Sequence, residues 1–137
     1  MALSLQRAEY YRTTMVDRPG EAYQLLARLA GAGVNLHVFT AVPLDNLHTE
    51  LVLFPDNLEN FEAVADEAGV VLRGPEHAFL IQGDDHLGAL ADIHAQLLDA
   101  KINVYASSGV ADGSGKFGYV LHVRPRDFEA AAAALGV

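Results

Sequence analysis

The sequence predicts an α+β protein built as two repeats, each a βαββαβ set of elements around an antiparallel sheet. Three observations predict it. First, residues recur at an offset of 68: Asp17 with Asp85, Gly20 with Gly88, Leu29 with Leu97 and Asn35 with Asn103. Second, each half alternates between short strand-like runs, the first of them rich in β-branched and aromatic residues, and the i, i+3, i+4 stripe of helices. Third, 137 residues with 51% hydrophobic and 20% charged side chains is a globular composition, with room for one domain or two small ones. Near the end the offset slips to 67, where Phe61-Glu62-Ala63 matches Phe128-Glu129-Ala130 and Gly69 matches Gly136. The predicted repeats are therefore 1–69 and 70–137.

The elements follow in order. Residues 10–16 are rich in aromatic and β-branched side chains and stop at Pro19-Gly20, which predicts a strand. From 21 to 33, Ala22, Leu25, Leu26, Leu29 and Ala30 form one helical stripe, ended by Gly31 and Gly33. Strands are predicted at 34–42 and 49–54 around a loop at 43–47. A helix at 57–68 with Leu58, Phe61, Val64 and Ala65 on one face comes next, and then a short strand at 70–73. The second repeat reads as a strand at 76–82, a helix at 87–101, strands at 102–107 and 118–123 around a loop at 109–115, and a helix at 127–135. It ends without a fourth strand. Subtracting 68 from 70–73 lands on Ala2–Leu5, so the head of the chain is expected to complete the second sheet, each half borrowing a strand from the other.

Charge and composition exclude several functions. Nine basic residues against eighteen acidic ones leave a formal net charge of −9, which opposes binding to nucleic-acid phosphates and to anionic membranes. The absence of cysteine excludes disulfides, thiolate nucleophiles and thiolate metal sites. No signal-peptide pattern opens the chain, and no apolar run approaches the ~18–20 residues that cross a bilayer, so a soluble cytoplasmic protein is expected. Six histidines, at 37, 48, 77, 86, 94 and 122, show no helical i, i+4 pairing and no His-x-His, so no metal or other cofactor is expected. Asp112-Gly-Ser-Gly-Lys116 lacks the Gly-x-x-x-x-Gly-Lys-Ser/Thr order of a phosphate loop and reads as a hairpin loop. Ser107-Ser108-Gly109 lacks a nucleophile elbow.

The run Val16-Asp-Arg-Pro-Gly20, the helix with Leu25-Leu26 and Leu29, and Gly33-Val-Asn35-Leu resemble the ACT-domain family of ligand-binding regulatory modules. Asp85-His-Leu-Gly88 through Lys101-Ile-Asn103-Val is similar, with Leu87 in place of the proline. Together the two copies look like a free-standing tandem ACT protein. The resemblance implies a ferredoxin-like fold and regulation without catalysis. It further implies a small ligand, often an amino acid, held between paired domains at Asp17, Pro19 and Gly20 with Asn35, and at Asp85 and Gly88 with Asn103. A homodimer and a regulated partner protein are expected on the same ground.

The residue chemistry suits that expectation. The first turn of a helix leaves N–H groups without intrahelical partners, here those of Gly20, Glu21 and Ala22, while Pro19 has none to offer. A missing Cβ at Gly20 permits close approach, the helix start favours a carboxylate, and Asn35 offers an amide donor and acceptor to an α-amino acid. Glu21 and Asp84-Asp85 bring negative charge near both turns, which favours a zwitterion over a simple anion. Structural roles are also open to these residues: Asp17 as a helix cap, and Asn35 and Asn103 as local turn residues. Two other functions are open as well, a glyoxalase-like metalloenzyme of repeated modules with one helix each, and an interaction module that binds no ligand.

Overall fold

The computed structural model describes residues 3–137. Its elements are β1 (Leu3–Val16), α1 (Glu21–Gly31), β2 (Leu36–Pro43), β3 (His48–Pro55), α2 (Leu58–Glu67), β4 (Arg73–Asp84), α3 (Ala89–Asp99), β5 (Ala106–Ala111), β6 (Lys116–His122) and α4 (Phe128–Leu135), with a 3-10 turn, Pro125–Asp127, leading into α4. They fold into two compact units. One is Glu9–Glu76. The other is His77–Val137 together with the N-terminal stretch that ends at Ala8. The two long strands are divided between them. Residues 9–16 of β1 and 73–76 of β4 serve the first unit, and residues 3–8 and 77–84 serve the second.

Within the first unit the strand order is β2-β3-β1-β4, and within the second it is β5-β6-β4-β1. The fold is thus α+β, with two ferredoxin-like βαββαβ sets of ACT type and antiparallel hairpins. The terminal strands are exchanged between the repeats, and Leu5 packs on the core of the second unit. Ala2, the first residue of the expected strand, lies outside the described residues. Each unit carries two helices rather than the one expected of a glyoxalase-like module.

The registers repeat as the sequence does. Tyr11 opposes Leu53 and Val16 opposes His48 in the β1/β3 pair. Sixty-eight residues on, Phe79 opposes Leu121 and Asp84 opposes Lys116 in the β4/β6 pair. Both cores form on the face that meets the helices. In the first, Leu25, Leu29, Leu53 and Phe61 are buried; in the second, their counterparts Ile93, Leu97, Leu121 and Phe128 are. One ring pair joins strand to helix in each core. Tyr11 stacks on Phe61 with centroids 5.3 Å apart, and Phe79 stacks on Phe128 at 4.6 Å. Such a pair contributes about 0.5–1.5 kcal/mol beyond the area it buries.

Several predicted boundaries differ from the observed ones. Residues 70–72 are not a strand. The Val70 N–H closes helix α2 by donating to the Ala65 carbonyl at 2.9 Å, and Val70 and Leu72 pack against the first core. Their apolar character therefore reports burial rather than strand pairing. Strand β4 begins after them and fuses with the strand predicted at 76–82. Strand β5 begins at Ala106, later than predicted, because Ile102 is used to close α3. Gly109 falls within β5, not in a loop: a Cβ there would stand 2.8 Å from the Tyr119 ring, so the glycine serves close packing.

All four helices end in the same way. In the Schellman arrangement the N–H two residues past the cap returns to the carbonyl three residues before it, and the residue between adopts a left-handed backbone. Val34 donates to Leu29, Val70 to Ala65, Ile102 to Leu97 and Val137 to Ala132, each at 2.9 Å. The left-handed residue is Gly33, Gly69 and Gly136 in three cases. In the fourth it is Lys101, at φ 59°. A residue with a Cβ costs roughly 1–2 kcal/mol in that conformation.

Three predictions follow from this architecture. Lys101→Gly should stabilise the protein by about 0.5–1 kcal/mol, the relief of strain being partly offset by the freer unfolded chain. Chemical denaturation should show a higher midpoint at an unchanged m-value. Deleting residues 1–6 removes part of the borrowed strand and opens an edge of the second sheet; hydrogen exchange should accelerate in 77–137 while amides of the Leu25–Phe61 core keep their protection. The third concerns alkali. Tyr10 and Tyr11 are held above the ordinary tyrosine value of 10.0, first by burial and then by hydrogen bonds to Glu76 and Glu62. The folded state thus keeps protons that the unfolded chain releases, so this contribution is full below pH 10 and is lost as pH rises further. Unfolding midpoints followed through that range should fall less steeply in Tyr11→Phe.

Candidate functional site: the paired helix-start turns

Each unit turns from its first strand into its first helix through the same construction. The Asp17 N–H donates to the Leu47 carbonyl, and the Asp85 N–H donates to the Gly115 carbonyl, both at 2.8 Å. Each turn is thereby tied to the hairpin beside it. Gly20 and Gly88 then occupy the N-cap positions of α1 and α3 with left-handed φ of 88° and 84°. No atom lies within 4 Å of where a Cβ would stand at either one. Glycine is required there by backbone conformation, and the space above it is open. The first intrahelical bonds run from Gln24 to Gly20 and from Asp92 to Gly88.

The predicted N–H donors are only partly free. The Glu21 N–H donates to the Arg18 carbonyl at 3.3 Å, and its counterpart, Ala89, donates to His86 at 3.2 Å. Glu21 is therefore engaged by the turn itself, while Ala22 precedes the first intrahelical bond. Neither helix start has a side-chain cap, so Asp17 does not cap α1; its side chain is exposed. Pro19 is exposed within the same turn.

Two of the four carboxylates at the turns, Glu21 and Asp84, are matched by a cation, while among the described residues Asp17 and Asp85 have no ion pair. Arg18 places Nη2 at 2.6 Å and Nε at 3.1 Å from Glu21 Oε1. In the second unit Lys116 pairs with Asp84, which raises the lysine above its ordinary value. The adjoining hairpins carry one further carboxylate each. Asp45 Oδ1 accepts from the N–H groups of Leu47 (2.7 Å) and His48 (2.8 Å) and stands 3.0 Å from His48 Nδ1. Asp112 Oδ1 accepts from the N–H groups of Ser114 (2.7 Å) and Lys116 (3.1 Å). These bonds, that of Leu47 foremost for Asp45 and that of Ser114 for Asp112, lower both carboxyls.

Asn35 and Asn103 stand elsewhere. Asn35 follows the end of α1, and Gly20 precedes its start; eleven helical residues separate them by about 16 Å. Within one unit the structure does not bring Asn35 to the Asp17–Glu21 turn, and by the same topology it does not bring Asn103 to the Asp85–Gly88 turn. Asn35 is anchored through its backbone, donating to Asp56 Oδ1 at 3.1 Å and accepting from the Asp56 N–H at 2.9 Å. Its exposed side chain takes no part in that pairing.

Sequence reasoning did not single out Arg18, Asp45, His48 or Lys116 as turn residues. Their signals were present: Arg18 precedes Glu21 at ion-pair spacing, and His48 and Lys116 are equivalent at the offset of 68. Among the described residues, no three His, Asp or Glu side chains gather as a metal site. His94 Nε2 instead lies 2.7 Å from the Tyr119 hydroxyl, and His77 lies against the Phe128 ring. Among the described residues no helix is long and apolar enough to cross a membrane.

No family model matches the chain, and no curated protein matches it. Solved structures do. Protein BT0572 from Bacteroides thetaiotaomicron superposes with a TM-score of 0.82 at 12% identity, over 96% of this chain and 88% of that one. The regulatory subunit of aspartate kinase from Thermus thermophilus, in a ligand-free form, superposes with a TM-score of 0.62 at 16% identity, over 98% and 94%. A structure of aspartokinase alpha and beta subunits gives a TM-score of 0.61 at 19% identity, over 98% and 95%. The chain thus shares, over nearly its whole length, the tandem ACT-type fold that the family resemblance implied.

Proposed function

We propose that this protein is a non-catalytic regulatory module that binds a small zwitterionic metabolite, an amino acid above all, at its helix-start turns. The observation that carries the reading is the duplicated turn. Two left-handed glycines, Gly20 and Gly88, begin two helices, each turn is tied to its hairpin by a 2.8 Å bond, and the space above each glycine is open. A ligand carboxylate at such a helix start meets free N–H groups and the positive end of the helix. The Arg18–Glu21 and Lys116–Asp84 pairs offset one carboxylate at each turn, and the charge that Asp17 and Asp85 leave favours a zwitterion over a simple anion. Likeness in fold to a regulatory subunit of aspartate kinase supports the same role.

The separation of Gly20 from Asn35 determines how the ligand would be held. One unit cannot offer both to a molecule of amino-acid size. The ammonium partner, Asn35 or Asn103, is supplied in this proposal by a second copy of the chain, which makes the ligand-binding form a homodimer. Asp17, Pro19, Gly20 and Glu21 line one class of site; Asp85 and Gly88 line the other. A ligand-dependent change in that dimer would pass the signal to a partner protein.

A thermal-shift screen of the twenty amino acids finds the ligand, and titration calorimetry measures it. Losing one hydrogen bond to a charged group costs about 1.5–3 kcal/mol, roughly ten- to a hundredfold in affinity. Asn35→Ala or Asn103→Ala should weaken binding by that factor with the fold intact, and sedimentation should show ligand favouring the dimer. Unchanged affinity in both variants would place the site elsewhere.

A further inference from the structure

Five of the nine basic side chains in this acidic chain meet a carboxylate, and three of the other four lie at one end of the second unit. Arg7, Arg12, Arg18, Arg73 and Lys116 each meet a carboxylate. Among the described residues, Arg28, Lys101, Arg124 and Arg126 do not. The last three belong to one end of the second unit, where α3 leaves, β5 approaches and β6 ends. The Tyr105 N–H donates to the His122 carbonyl at 2.7 Å, which joins the two segments that carry them. This end is opposite the Asp85–Gly88 turn, since α3 runs from one to the other.

Three observations make the cluster more than surface charge. Arg124 lies over the Tyr105 ring, its Cζ 4.5 Å from the centroid, while Tyr105 as a whole remains 60% exposed. Asp99 and Asp127 are close in sequence, yet neither takes up these cations. Lys101 holds a left-handed backbone that glycine fills at the other three helix ends. A lysine there puts a cation where conformation favours a residue without one. The first unit differs: Gly33 stands at the position of Lys101 and Asp56 at that of Arg124. Residues 9–76 carry four basic side chains against eleven acidic ones, the rest of the chain five against seven.

We infer that Lys101, Tyr105, Arg124 and Arg126 form a binding site for a nucleoside phosphate. Arg and Lys together suit a dianionic phosphate, the guanidinium by paired donors and the ammonium as a point charge. An exposed ring already packed on one side by a guanidinium offers its surface to a planar base. The site is separate from the helix-start turns, and its occupancy does not depend on the amino-acid reading.

Titration of the full-length protein with AMP, ribose 5-phosphate and inorganic phosphate at low salt tests the assignment. AMP should bind most tightly, with amide shifts concentrated at 101–105 and 122–126, and added salt should weaken it. Arg124→Gln and Lys101→Gly should each reduce AMP affinity about tenfold or more. Lys101→Gly should at the same time raise the unfolding midpoint, an opposition of sign that a purely structural lysine would not produce. Tyr105→Ala should bring AMP down to the affinity of ribose 5-phosphate. Absence of binding by all three probes would overturn the site, as would affinity unchanged in Arg124→Gln and Lys101→Gly. Equal binding of AMP and ribose 5-phosphate to the unaltered protein would overturn its assignment to nucleotides.

Discussion

A four-stranded sheet of this type needs its last strand beside its first, and neither sequence repeat, 1–69 or 70–137, supplies that strand itself. The first unit takes residues 73–76 from the strand that begins the second, and the second takes residues 3–8 from the strand that begins the first. Much else depends on this. It sets the length of β1 and β4, fourteen and twelve residues, where a single unit would use about half of each. It leaves Leu5 to complete the second core, and it makes the second compact unit non-contiguous in sequence, while the first runs unbroken from Glu9 to Glu76.

The repeat made most of this legible. Core positions recur at the offset because each must contribute a side chain of similar volume to an equivalent packing site; Tyr11 and Phe61 become Phe79 and Phe128 with the stacking preserved. Helix limits were legible from glycine, since a left-handed backbone follows each helix. They were less legible at Lys101, where charge masks the same conformation. The strand predicted at 70–73 misled because an apolar run records burial without saying which backbone partner accompanies it. Val70 and Leu72 fill the core while their backbone ends a helix. Gly109 misled in the opposite sense: a glycine that admits the Tyr119 ring looks, in sequence, like one that loosens a loop.

The site was legible in part. Asp17, Pro19, Gly20 and Glu21 are neighbours in sequence and meet in one turn. Asn35 is near Gly20 in sequence terms, but a helix of about 16 Å intervenes. Sequence spacing does not distinguish the two ends of an element, whereas topology does. The ion pairs around the turns were harder to foresee, because Lys116 reaches Asp84 across a strand register rather than along the chain.

The borrowed strand also has a temporal meaning. A ribosome delivers the chain in sequence order, so residues 3–8 are made before β2 and β3 and yet join a sheet whose other strands, β4, β6 and β5, are made after them. The first unit can close once residue 76 has emerged. The segment before Glu9 must then wait for its neighbour strand, residues 77–84 of β4, and for the core that α3, β5, β6 and α4 complete. Leu3 and Leu5 spend that interval as an exposed apolar edge, tethered beside a domain that has already folded. Assembly of the second unit is thus a matter of retention, in which a strand made early is held in reserve for strands made later.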